Sequence, residues 1–145
     1  MDGQGQEVLT FGQHRWVDAV TDSAEHKHTL GRQGETLARR YLKKLGYRYI
    51  ARNFSCRQGE IDLIMRQDET VVFVEVKTRR DEQFATGEEA IHFGKQKKLA
   101  ATARDFIQTR RLHEHPCRFD SVAVVLSQEG QAVIRHQKNV FVPRH

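Results

Sequence analysis

The chain has 145 residues, of which 30% are charged and 38% hydrophobic, and its formal net charge is +5 with an isoelectric point near 9.5. This length suits a single domain that can bury a core without a metal or disulfide staple, and the basic balance favours polyanionic partners, nucleic acid first. With two cysteines, no signal-peptide pattern and no apolar run of about 18 residues, we expect a cytoplasmic protein that does not enter a membrane.

The first predicted elements are a polar N-terminal segment and a long helix. Residues 1–28 show no sustained hydrophobic period and are predicted to form a flexible tail, which leaves residues 29–145 for the folded domain. Apolar residues at helical spacing predict a helix over residues 29–45. Thr29 is expected to cap its start, and Gly46 suits the position just after its end.

The rest of the domain is predicted to hold strands and a second helix. This helix, over residues 94–111, carries three lysines in its first turns, where the helix dipole disfavours cations and a bound anion would be favourable. Short apolar runs bounded by turn residues predict five strands, at 47–54, 60–65, 70–78, 119–126 and within 132–141. The last strand is expected at a sheet edge, and the order of elements predicts a mixed sheet with helices packed on it.

Two carboxylates and an ammonium are expected at neighbouring strand ends. Asp62 ends the segment Gly-Glu-Ile-Asp, and Glu75 and Lys77 follow an apolar run 13 residues later. Because side chains alternate along a strand, Glu75 and Lys77 should share one face with Phe73. Two carboxylates that face each other on neighbouring strands repel unless a cation lies between them. Mg²⁺ prefers such oxygen ligands.

Asp62, Glu75 and Lys77 together resemble the PD-(D/E)xK nuclease signature. Ile61 stands where the signature has proline, whereas the run from Glu75 to Lys77 matches its second half in full. This superfamily also carries an acidic residue on the first helix, and the resemblance implies that role for Glu35.

A longer stretch, residues 31–126, resembles the YraN-like family of uncharacterised bacterial proteins. The resemblance rests on six segments: Gly34-Glu35, Gly46-Tyr47, Arg52-Asn53-Phe54, the run from Gly59 to Ile64, the run from Phe73 to Arg79, and Arg118-Phe119-Asp120. It implies an α/β fold similar to restriction endonucleases and archaeal Holliday-junction resolvases, with three α/β/α layers and a mixed central sheet of about five strands.

These features lead us to expect a Mg²⁺-dependent phosphodiesterase acting on DNA rather than RNA, including branched or repair intermediates, with Mn²⁺ as the alternative metal. Asp62, Glu75 and the Val76 carbonyl would hold the metal, and Lys77 would lie beside the attacking water. Basic residues are expected to contact the nucleic-acid backbone: Arg79, Arg80, Lys95, Lys97 and Lys98. By analogy with junction-cutting enzymes, a homodimer is also expected.

Other interpretations of the same residues stay open. The Asp-Glu-Lys set also fits a structural salt-bridge cluster, and an acidic residue early in a helix, such as Glu35, is favourable without any function. The main alternative function is a nucleic-acid-binding module that keeps the nuclease fold without cleaving, and a non-catalytic assembly protein is another. Asp120 is expected to pair with an arginine in a structural role.

Overall fold

The computed structural model describes residues 4–10, 23–80 and 91–143. Within these residues six strands and two helices follow one another in the chain: β1 (Gln4–Thr10), α1 (Ser23–Lys44), β2 (Arg48–Cys56), β3 (Gly59–Gln67), β4 (Thr70–Arg80), α2 (Phe93–Arg110), β5 (Cys117–Leu126) and β6 (Gln131–Phe141). No helix among them is long and apolar enough to cross a membrane.

The described strands form one mixed sheet in the order β1-β6-β5-β4-β3-β2. The β4–β5 pair is parallel, and the other four pairs are antiparallel. Parallel neighbours require a crossover connection, and α2 lies in the one that joins β4 to β5. The catalytic-type run from Glu75 to Lys77 therefore lies on a central strand, with an antiparallel neighbour on one side and a parallel neighbour on the other.

Each face of the sheet is covered by one helix, which gives the expected three layers. On one face, α1 buries Leu37, Tyr41 and Leu42 against Val72 and Val74 of β4. The opposite face packs against α2, with its own set of buried side chains: Ile61, Phe73, Leu99, Phe106 and Phe119. The predicted α/β class is confirmed. Strand β4 is buried on both faces from Val71 to Glu75, which explains why its apolar run has no polar face.

The helix boundaries agree with the sequence at one end of α1 and differ at the other. Gly46 adopts a positive φ of 98°, and the Tyr47 N–H donates to the Leu42 carbonyl at 3.0 Å, as expected for a glycine that ends a helix. The helix begins at Ser23, however, so Thr29 lies inside it and is not its cap. The prediction of a start at Thr29 was wrong because it relied on the first apolar residue of the periodic pattern.

The N-terminal segment also differs from the sequence prediction. Residues 1–28 were predicted as a flexible tail, but Gln4–Thr10 forms strand β1 and pairs with β6, while the segment from Ser23 belongs to α1. Residues 11–22 of the predicted tail lie outside the described residues. Because β1 covers it, β6 lies within the sheet, and its predicted edge position is wrong.

Candidate functional site

Strands β3 and β4 separate at one end, and the Asp62 side chain occupies the opening. Their ladder runs from the turn pair Gln67 and Thr70 to the pair Leu63 and Val74. One residue beyond, Oδ2 of Asp62 accepts a hydrogen bond from the Val76 N–H at 2.8 Å. A carboxylate therefore replaces the backbone partner that an unbroken ladder would supply, which fixes the position of Asp62 beside β4.

The same opening exposes the backbone carbonyl of Val76 to the site. In an extended strand, the N–H and C=O of one residue point towards the same neighbouring strand. The Val76 N–H points towards Asp62 on β3, so its carbonyl oxygen points to the same side. Since the ladder ends at Val74, this carbonyl lies beyond the last paired residues and beside the Asp62 carboxylate.

Glu75 is buried on the α2 face of β4, as the strand alternation predicted. Its residue surface is only 5% exposed. A buried carboxylate requires a compensating charge, and the Nζ of Lys95, in the first turn of α2, forms an ion pair with its Oε2. The lysine in the unfavourable first turn of α2 therefore neutralises the central acid of the site.

Asp62 and Glu75 are close enough to affect each other's charge. Burial, the Glu75 carboxylate and a hydrogen bond with it raise the pKa of Asp62 to about 8, although the bond from the Val76 N–H lowers it. The charge of Glu35 contributes in the same direction. Three acidic side chains from α1, β3 and β4 thus converge, and their mutual repulsion makes the ionised state of Asp62 unfavourable without a cation.

Glu35 reaches the site because α1 approaches β4 unusually closely. A Cβ atom at the preceding residue, Gly34, would lie 1.7 Å from Oγ1 of Thr78, so only glycine fits there. Asn53 of β2, in a left-handed conformation with φ of 49°, donates from Nδ2 to Oε1 of Glu35 at 3.2 Å. The resemblance implied a place for Glu35 at the site, and both contacts help to hold it there.

Lys77 lies on the same face as Glu75, two residues further along β4. Both side chains line a small pocket together with Ile91 and residues of β5 and β6. Lys77 is half-buried, while Arg79 is exposed and Arg80 half-buried at the far end of the same strand. The basic residues predicted after Glu75 therefore all lie on β4, and they follow the strand away from Asp62 and Glu75.

The three lysines of α2 point in different directions. Lys95 contacts Glu75, Lys97 places its Nζ 5.5 Å from the ring centroid of Phe93, and the backbone of Lys98 lies near Gly59 in the β2–β3 turn. The sequence grouped them as one nucleic-acid contact. The structure gives Lys95 an internal partner, whereas the side chains of Lys97 and Lys98 are exposed.

The donor set at this site fits a hard divalent cation. Mg²⁺ commonly takes one or two protein carboxylates and completes its shell with water and phosphate oxygens. Asp62 and Glu75 supply two carboxylates whose repulsion a cation would remove, and Val76 supplies a carbonyl at the same opening. Among the described residues, no group of three or more His, Cys, Asp or Glu side chains is arranged to hold a metal ion, so the carboxylate donors at this opening are the pair Asp62 and Glu75.

A second buried charge cluster lies on the α1 face and has a structural character. Asp120 accepts hydrogen bonds from Arg118 at 2.9 Å and from the Asn139 N–H at 3.0 Å, and Nε2 of His136 lies 2.8 Å from its other oxygen. Burial alone would raise the pKa of Asp120, but these bonds outweigh it and lower the pKa. Arg118 also donates to Tyr47 at 2.6 Å. The expected pairing of Asp120 with an arginine is confirmed.

Comparison with known proteins places this arrangement in a family. The model of the uncharacterised protein family UPF0102 matches residues 34–124, a range that holds Glu35, Asp62, Glu75 and Lys77. The chain belongs to this family. It is the YraN-like family that the sequence motifs resembled, and the nuclease-superfamily placement is consistent with it.

Relatives in UPF0102 cover most of the chain. The chain is 43% identical over 100 residues to a UPF0102 protein of Syntrophus aciditrophicus, spanning 69% of this chain and 79% of the relative. It is 41% identical over 117 residues to one of Caldicellulosiruptor saccharolyticus, spanning 80% and 99%. It is 44% identical over 113 residues to one of Ectopseudomonas mendocina, spanning 77% and 93%.

The sequence analysis did not identify two residues, Lys95 and Asn53, as parts of the site of this UPF0102 protein. Lys95 was assigned to nucleic acid, although three lysines opposing a helix dipole already indicated a nearby anion, and that anion is Glu75. Asn53 lay within a family motif without a role, and only its tolerance for a left-handed backbone hinted at a special position. Both contacts join residues far apart in the chain, so sequence spacing does not show them.

Proposed function

We propose that this UPF0102 protein is a Mg²⁺-dependent phosphodiesterase that cleaves DNA. The observation that carries the proposal is the convergence of Asp62 and Glu75 at the opening between β3 and β4, with Lys77 on the same face as Glu75. A buried carboxylate and a half-buried one that repel each other destabilise the folded protein unless something offsets the repulsion. A cation-binding role explains why such a pair lies beside a carbonyl and a lysine.

Asp62, Glu75 and the Val76 carbonyl would hold the metal, with Mn²⁺ as an alternative. When bound, Mg²⁺ would polarise the phosphoryl oxygen and lower the pKa of a water molecule. The Val76 N–H keeps Asp62 oriented towards β4. Lys95 balances the charge of the buried Glu75 carboxylate in the metal-free protein.

Lys77 would act on the reacting groups themselves. Its ammonium can donate a hydrogen bond to the attacking water and can offset the negative charge that develops on the phosphate oxygens. Attack forms a bond from the water oxygen to phosphorus while the bond to the leaving oxygen breaks; the water gives up a proton to solvent, and the leaving oxygen takes one up from solvent. Glu35, held by Asn53, adds an acceptor on the α1 side of the site that can orient water.

Nucleic acid would be held by basic side chains around the site. Exposed Arg79 extends from the same strand as Lys77, and exposed Lys97 and Lys98 lie on α2. Contacts of this kind act mainly on phosphates, so binding should weaken steeply as the salt concentration rises. A homodimer, which would place two sites on a branched duplex, stays a prediction.

The test is cleavage of single-stranded, duplex, flap and four-way-junction DNA and structured RNA with Mg²⁺, Mn²⁺ or EDTA. Wild type is compared with Glu75→Gln and Lys77→Met, and with Glu60→Gln as a matched control. Glu60 is an exposed acid on β3 bonded to Ser55 at 3.1 Å, so its loss should leave cleavage unchanged. Circular dichroism melting verifies that each variant is folded.

Metal-dependent products that disappear in Glu75→Gln and Lys77→Met, but persist in Glu60→Gln, would support the nuclease. A melting temperature that rises with Mn²⁺ in wild type and not in Glu75→Gln would support the metal site without relying on activity. Salt-sensitive binding without products in any metal would instead favour the nucleic-acid-binding module. Products that survive both substitutions would refute the assigned site.

A further inference from the structure

A groove lies between the first half of α2 and the end of β6, away from the acidic residues. Its volume is about 430 Å³, which falls within the roughly 300–1,000 Å³ typical of small-ligand sites. One side is formed by a single face of α2 that runs from Phe93 to Arg104, and the other by Phe141 and the two residues after it. None of the acidic residues of the site lines this groove, although Lys97, one of the basic residues proposed to hold nucleic acid, does.

The groove combines an exposed aromatic ring with an apolar floor. Phe93 is 58% exposed, an unusual state for a large apolar side chain that begins a helix. Ala100 and Ala101, two turns further along α2, have small side chains that leave space for a flat molecule. Phe141 at the base is buried and stacks on Phe119 with ring centroids 4.5 Å apart, which makes the floor rigid.

The rim of the groove is positively charged. Lys97 lies over the Phe93 ring, and Arg104 lies two turns further along the same helix face. Both side chains are exposed, as is expected of cations that contact a ligand from solvent. An aromatic face flanked by cations has the two contacts that a nucleotide needs, one for the base and one for the phosphate.

Two contacts at the start of α2 link residues of the groove with residues of the acidic site. Gln96, which lines the groove, donates from Nε2 to the carbonyl of Ile91 at 2.7 Å, and Ile91 lines the small pocket with Glu75 and Lys77. Lys95, the next residue before Gln96, contacts Glu75. A DNA strand that passes over Asp62 and Glu75 could therefore reach the groove within one turn of α2.

We propose that this groove binds an unpaired nucleobase of the DNA, stacked on Phe93, with its phosphate on Lys97 and Arg104. The inference rests on the proposed nuclease function and specifies its substrate, namely DNA with a single-stranded or unpaired nucleotide beside the scissile phosphate. A base within a duplex is already stacked and cannot enter a groove closed at its base by Phe141. The protein therefore distinguishes single-stranded regions and branch points from continuous duplex.

Charge favours this occupant over a second copy of the chain. The protein has a formal charge of +5, and the groove itself has Lys97 and Arg104 at its rim. Two such surfaces would repel each other, whereas a phosphodiester is attracted to both cations. Stacking on an aromatic ring also tolerates any base sequence, which suits a site with few hydrogen-bond donors.

The test measures binding of a single-stranded oligonucleotide containing 2-aminopurine, in EDTA at low salt, so that no metal-dependent cleavage enters the result. Phe93→Leu keeps an apolar side chain and removes the ring, and Phe93→Trp restores an aromatic face. Tyr49→Leu is the matched control, because Tyr49 is 40% exposed and has the Arg39 guanidinium 5.1 Å from its ring centroid. A matched oligonucleotide with an abasic site in place of the 2-aminopurine tests the contribution of the base itself.

We expect Phe93→Leu to weaken single-strand binding about tenfold and to abolish quenching of 2-aminopurine, as for loss of one base–aromatic stack. Phe93→Trp and Tyr49→Leu should bind like wild type, and a blunt duplex should bind Phe93→Leu and wild type alike. The abasic strand should bind wild type as weakly as the intact strand binds Phe93→Leu.

The proposal is overturned if Phe93→Leu binds the oligonucleotide and quenches 2-aminopurine like wild type, or if wild type does not bind the oligonucleotide. It is overturned as well if Tyr49→Leu loses as much binding as Phe93→Leu. It is also overturned if Phe93→Leu only removes self-association in sedimentation velocity, since the occupant would then be a second copy. Binding that depends on Phe93, without cleavage in the metal panel, would reject the nuclease and keep the groove. Glu75-dependent cleavage with binding independent of Phe93 would reject the groove alone.

Discussion

Replacing Gly34 with alanine should separate α1 from β4 and displace Glu35. The new Cβ would lie 1.7 Å from Oγ1 of Thr78 and 2.8 Å from both its Cβ and its Cγ2. Rotation of the threonine side chain moves Oγ1 and Cγ2, but its Cβ is fixed to the strand. The helix must therefore move, by at least the 0.6 Å that separates 2.8 Å from the 3.4 Å of an ordinary contact.

The expected loss of stability follows from this displacement. Forcing one extra methyl group into a packed interface costs about 1–3 kcal/mol, and alanine in a helix regains up to about 1 kcal/mol relative to glycine. We therefore expect Gly34→Ala to lower the free energy of unfolding by about 1–2 kcal/mol. The Asn53 bond to Glu35, 3.2 Å long in the native structure, should lengthen in the same variant.

Gly31 provides a control on the same helix, one turn earlier. A Cβ atom added there meets nothing within 4 Å. Gly31→Ala should thus show the gain from helix propensity alone and stabilise the protein by about 0.5–1 kcal/mol. The two substitutions are chemically identical, so opposite signs would come from the contact with Thr78.

The assay is urea unfolding of both variants in EDTA, followed by cleavage or Mn²⁺-dependent melting at the acidic site. Thr78→Gly in the Gly34→Ala background should recover part of the lost stability, because it removes the three atoms nearest to the new methyl group. Gly34→Ala with wild-type or higher stability would refute the close approach of α1 to β4. Equal effects of the two glycine substitutions would refute it as well.

Two further predictions concern pH. Burial, and then the Glu75 carboxylate, raise the pKa of Asp62 from its ordinary 3.8 to about 8. Because pH 7 lies about 3 units above the ordinary value and one pKa unit corresponds to about 1.4 kcal/mol, Asp62→Asn should stabilise the metal-free protein by up to about 4 kcal/mol at pH 7. Because the pKa of Asp62 is higher in the folded than in the unfolded protein, wild type keeps its full stability below the unfolded-state pKa and loses stability as pH rises towards about 8. The stability gained by Asp62→Asn, measured by urea unfolding, should therefore be smaller at pH 4 than at pH 7. A variant less stable than wild type at pH 7 would contradict this. Asp120→Asn should destabilise by about 3 kcal/mol at pH 7, because it leaves Arg118 and His136 without their buried acid. The pKa of Asp120 is lowered in the folded protein, so the stability that Asp120 contributes is present above its unfolded-state pKa and is lost as pH falls through its folded-state pKa. If urea unfolding showed the same loss of stability in Asp120→Asn at acidic pH as at pH 7, this prediction would be contradicted.

Local patterns in the sequence were sufficient where a structural feature depends on near neighbours. The alternation along β4 put Glu75 and Lys77 on one face because side chains on a strand have a period of two, whatever the strand packs against. Gly46 ended α1 for an equally local reason, its freedom to adopt positive φ. The start of α1 and the strand β1 were missed, since neither has a strong hydrophobic period of its own.

The sequence by itself determined the α/β class, the order of the main elements, and the carboxylates and lysine of the acidic site. Only the tertiary structure decided which partners these groups have: the Val76 N–H for Asp62, Lys95 for Glu75, and Asn53 for Glu35. Each of these contacts joins two different elements. The physical reason is that a side chain's own periodicity fixes the face on which it lies, whereas its partner depends on how helices and strands distant in the chain pack together.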